Sequence, residues 1–117
     1  MWSEQVESLA EGEAVYAYEM DVARPLEEYD RIHAEIDGKT SDLGEQCLLH
    51  LVTRTDSGFR VIDVWETHEA ADRWGDEVMR PAVERVFGPE TTAGGPPPSR
   101  ELDVHHLQVG RRAEAMS

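Results

Sequence analysis

The chain has 117 residues, with 25 Asp+Glu against 11 Lys+Arg and a formal net charge of −14. That length suits one domain with a single core. The charge argues against nucleic acid and anionic membrane surfaces as partners, since the basic pair Arg111-Arg112 stands at the tail.

Hydrophobic residues at 39% and charged residues at 31% predict a folded chain rather than a disordered one. No apolar run approaches the ~18 residues of a membrane span. Met1-Trp2-Ser3-Glu4-Gln5 shows neither the basic nor the apolar part of a signal peptide. Cys47 is the single cysteine, so no internal disulfide is expected, and no Cys/His spacing resembles a zinc site. A cytoplasmic protein without metal or cofactor is the expectation.

Residues 1–12 read as a flexible lead-in, 13–110 as one domain and 111–117 as a tail. Ala14, Tyr16, Tyr18, Met20 and Val22 alternate along a first strand. Pro25 suits the opening of a helix, which Leu26, Tyr29, Ile32, His33 and Ile36 continue at helical spacing up to Gly38. A polar loop over 39–45 precedes a second strand over 46–54. Thr55-Asp56-Ser57-Gly58 is a tight turn, and a third strand follows over 59–66, which makes a hairpin. Thr67 is a suitable cap for the next helix, with Ala70, Ala71, Trp74, Val78 and Met79 as its apolar stripe. Pro81 predicts a kink or a fresh helical start, and Gly88-Pro89 an end. After the stiff Pro96-Pro97-Pro98 segment, residues 101–109 read as a final strand.

The order is β-α-β-β-α-β. It predicts an α+β fold: a ferredoxin-like, four-stranded antiparallel sheet in the order 4-1-3-2, with both helices on one face. The strands are apolar on both sides, with Leu49 and Leu51 on one and His50 and Val52 on the other. Two helices cover one face, so a second copy covering the other, as a homodimer, is expected.

An even hairpin register would set His50 beside Asp63, with Trp65 on the same face. An Asp beside an imidazole fixes its tautomer and raises its basicity, as a general base requires; the same pair also satisfies itself in a partly buried sheet. His105 and His106 would point to opposite faces of the last strand, with His106 a partner for His50. Tyr16 and Tyr18 share a face suited to a phenolic or carbonyl ligand, and His33 could face the sheet from the first helix. Cys47 has no basic neighbour in sequence that would make it a reactive thiolate.

The run Phe59-Arg60-Val61-Ile62-Asp63-Val64-Trp65-Glu66-Thr67-His68-Glu69-Ala70 resembles the dimeric α/β-barrel superfamily, and within it the antibiotic biosynthesis monooxygenase-like small proteins. Met79-Arg80-Pro81-Ala82 and Glu101-Leu102-Asp103-Val104-His105 extend the likeness. The resemblance implies a homodimer whose cavity, between sheet and helices, takes a hydrophobic aromatic or polyketide-type molecule. It implies oxidation by molecular oxygen without metal, flavin or haem; relatives cyclise, isomerise, degrade haem or only bind. Trp65 matches the family's tryptophan at the end of the third strand. Many such sequences carry a histidine nine residues further on, where this chain has Trp74. His50, Asp63, His106 and Tyr18 are then the catalytic candidates, and Tyr16, Trp65, Trp74 and His33 the substrate-binding ones.

Overall fold

The structure, a computed structural model, describes residues 7–8, 15–37 and 42–110. Trp2, Ala14, Gly38 and the tail from Arg111 onward lie outside them. The elements run β1 (Glu7–Ser8), β2 (Tyr16–Val22), α1 (Leu26–Ile36), β3 (Cys47–Arg54), β4 (Phe59–Trp65), α2 (His68–Trp74), α3 (Arg80–Phe87), β5 (Ser99–Leu102) and β6 (Gln108–Val109). Strands β2 to β5 form one antiparallel sheet in the order β3-β4-β2-β5. The protein is therefore α+β, with an arrangement compatible with a ferredoxin-like fold.

The β3–β4 hairpin sets the geometry. Thr55 and Gly58 exchange backbone hydrogen bonds of 3.0 and 3.4 Å, so Arg54 faces Phe59, Val52 faces Val61 and His50 faces Asp63. Gly58 is required by close approach: a Cβ there would stand 2.1 Å from the Val22 carbonyl oxygen and 2.7 Å from that of Arg24. At the far end a bulge intervenes, because Cys47 pairs with Trp65 while Leu49 pairs with Val64. The extra residue reverses the alternation. Cys47 thus shares the face of His50 and Trp65 rather than that of Leu49 and Leu51, and packs near Leu43, Trp65, Ala70 and Ala71.

Thr67 caps α2, its hydroxyl accepting from the Ala70 amide at 3.0 Å. Pro81 cannot donate to the ladder, and the chain absorbs this with a π-helical turn over Gly75–Met79, where the Arg80 amide reaches back to the Gly75 carbonyl. The helix then continues as α3, with Ala82 fully buried.

The expected last strand over 101–109 does not form as one element. Ser99–Leu102 pairs with β2, residues 103–107 are irregular, and Gln108–Val109 pairs instead with Glu7–Ser8. Asp103, a poor strand former, falls where pairing stops.

The helix-covered side of the sheet holds Phe59, Val61, Asp63 and Trp65, all buried. The other side is mixed. Leu49 and Leu51 stand 40% and 45% exposed, while Arg60–Asp21 at 2.7 Å and Arg100–Glu19 occupy the opposite part.

Two glycines give opposite tests in urea unfolding. Gly75 has ordinary helical dihedrals and open space where a Cβ would go, so Gly75→Ala should stabilise the protein by about 0.5–1 kcal/mol. Gly58→Ala should destabilise it by at least about 1–3 kcal/mol, because the added carbon meets backbone.

Candidate functional site

The register that pairs β4 with both neighbours brings Tyr18 on β2 and His50 on β3 to opposite sides of Asp63. Asp63 is 6% exposed. The Tyr18 hydroxyl donates to its Oδ2 at 2.8 Å, and His50 Nδ1 lies 2.6 Å from its Oδ1. From α1, the Tyr29 hydroxyl sits 2.6 Å from His50 Nε2. Four side chains from four elements thus form one line: Tyr18, Asp63, His50, Tyr29.

Partner chemistry assigns the protons. Both Asp63 carboxylate oxygens accept, so Nδ1 of His50 carries the proton that bonds it. In neutral His50, Nε2 is then an acceptor, and the Tyr29 phenol donates to it. The His50 side chain is 42% exposed, so solvent or a ligand reaches this end of the line while Asp63 stays covered.

Trp65, 1% exposed, borders the same face. Its buried Nε1 makes no close, well-aligned hydrogen bond among the described residues and lies toward the Tyr18 hydroxyl. Trp74 packs on Trp65 with ring centroids 5.6 Å apart, and Tyr16, Tyr18 and Cys47 complete the surround.

The other expected residues are placed differently. The Tyr18 hydroxyl proton is committed to Asp63, so Tyr18 holds the carboxylate rather than meeting a ligand's oxyanion. Tyr16 lies flat on His68, centroids 4.0 Å apart. His33 is exposed and tilts against Tyr29 at 5.7 Å instead of facing the sheet. His106 lies in the irregular segment, where its Nε2 is 3.1 Å from Gln108 Oε1, and no described bond joins it to His50. It leaves the sheet because the last strand ends at Leu102. Tyr29 reads in the sequence as one more member of an apolar helical stripe. Only the placement of α1 over β3 reveals its hydroxyl as a partner of His50. Among the described residues no group of three or more His, Cys, Asp or Glu side chains could hold a metal ion.

Comparison with protein-family models, curated proteins and solved structures finds no match to this chain.

Burial, then the charges of Asp63 and Asp30, push the Tyr29 phenol up to about 12. Burial and then Asp63 push the Cys47 thiol from 9.0 up to about 12, and the same two causes raise Tyr18 further. The folded chain therefore keeps protons that the unfolded chain releases. The associated stability is complete below the ordinary thiol value and is lost as pH rises through the folded values. The urea midpoint should fall as pH is raised from 9.0 toward about 12. A midpoint constant over that window would contradict these environments.

Proposed function

We propose that the protein is a cofactor-independent enzyme of small-molecule secondary metabolism, working on a ferredoxin-like dimeric α/β barrel of the antibiotic biosynthesis monooxygenase type. The observation that carries this reading is the 2.6 Å bond between His50 Nδ1 and the buried Asp63, which leaves Nε2 as the basic end. The sheet order β3-β4-β2-β5 supports the fold assignment. The exposed Leu49 and Leu51 support a second copy laid on the face that the helices leave open.

The substrate is a hydrophobic, polycyclic carbon acid or phenol. His50 removes its acidic proton, and Asp63 stabilises the imidazolium that results. Trp65, Trp74 and Tyr16 supply the apolar walls of its site. The carbanion is then oxidised by molecular oxygen. One methylene carbon loses two hydrogens and gains a carbonyl oxygen, and the second oxygen atom leaves as water. The same base would serve a cyclase or isomerase. A non-catalytic ligand-binding dimer is the second reading, and it is favoured by one fact: every polar group from Tyr18 to Tyr29 already has a partner.

The test uses anthrone in air-saturated buffer, with quinone formation followed by absorbance. Turnover above buffer is expected, falling by about 10²–10⁴-fold in folded His50→Ala and Asp63→Asn variants. Full turnover in both variants would remove His50 as the base.

A further inference from the structure

The His50 atom that must accept the substrate's proton is already occupied. Nδ1 is committed to Asp63, and Nε2 faces the Tyr29 hydroxyl at 2.6 Å. A substrate must either displace that hydroxyl or use it. The surroundings of Tyr29 favour use. Its ring is fixed by three neighbours on two sides: His33 at 5.7 Å on its own helix, and Phe59 at 5.6 Å and His50 at 5.9 Å on the sheet. Turning the hydroxyl away would require the ring to leave all three.

We propose that Tyr29 is a catalytic residue that relays the substrate's proton to His50. This rests on the reading of His50 as the base. In one concerted step the substrate's acidic C–H or O–H bond breaks and a new O–H bond forms on the Tyr29 oxygen. The original Tyr29 O–H bond breaks as its proton moves to His50 Nε2. The substrate keeps the electron pair as an anion, and the positive charge settles on an imidazolium whose other nitrogen lies 2.6 Å from Asp63. Tyr29 begins and ends as a neutral phenol. That matters because burial and two nearby carboxylates oppose a free tyrosinate. The reacting group would therefore bind against the Tyr29 oxygen, at the exposed end of the line, and not against the imidazole itself.

The experiment compares wild type, Tyr29→Phe and His50→Ala on anthrone and dithranol, two tricyclic carbon acids, in air-saturated buffer. Initial rates are measured in light and heavy water, with circular dichroism to establish folding. The phenylalanine keeps the ring contacts and removes only the hydroxyl. The relay predicts that Tyr29→Phe loses about 10²-fold or more in kcat, as His50→Ala does. It also predicts a normal solvent isotope effect in wild type, because the Tyr29 proton is in flight. That effect should vanish from the residual rate of Tyr29→Phe, a change that a purely structural role would not produce. A Tyr29→Phe protein as fast as wild type, or faster, would overturn the relay alone: the hydroxyl would then be a cap that competes with substrate. Wild type with no turnover of either compound would overturn the proposed function, and the relay with it. Should Tyr29→Phe fail to fold, absence of a solvent isotope effect in wild type would still overturn the relay, and its presence would sustain it.

Discussion

A carboxylate taken out of water loses several kcal/mol of hydration unless donors replace what it gave up. Asp63 is in that position, in the middle of the central pair of strands. Its two oxygens recover donors from both sides, a phenol from β2 and an imidazole from β3. Those donors arrive only when both strands hold their registers against β4, since a slip of one residue turns each side chain to the other face. The buried charge thus ties local strand pairing to a single arrangement of the site, and His50 extends that constraint to α1 through Tyr29.

The same constraint separates parts that are structural from parts that remain available. Tyr18 and Asp63 are committed to each other and covered. His50 is half in solvent, and Tyr29 lies beyond it. Trp65 is buried on the same face, its ring packed on Trp74.

Much of this was legible in the sequence because it follows from short-range rules. The turn at Thr55–Gly58 fixed the register, and with it the pairing of His50 and Asp63. Pro81 announced an interruption, which the chain meets with a π turn. What was not legible depends on longer-range or irregular features. A bulge has no reliable signature in a run such as Cys47-Leu48-Leu49, yet it alone moves Cys47 to the helix-covered face. The last strand looked continuous because Leu102, Val104, Leu107 and Val109 are all strand-like. Instead the chain leaves β2 after Leu102 and resumes beside Glu7–Ser8. Tyr29 could not be paired with His50 from spacing, because their contact spans 21 residues and depends on where a helix crosses a sheet.

The proton arrangement of His50 is the claim on which the chemistry turns, and nitrogen-15 NMR of the histidine side chains reads it directly, without any substrate. The account predicts that neutral His50 carries its proton on Nδ1, with Nε2 showing the shift of an unprotonated nitrogen that accepts a hydrogen bond. A neutral His50 protonated on Nε2 would mean that Nδ1 does not donate to Asp63, and would contradict the line of hydrogen bonds from Tyr18 to Tyr29.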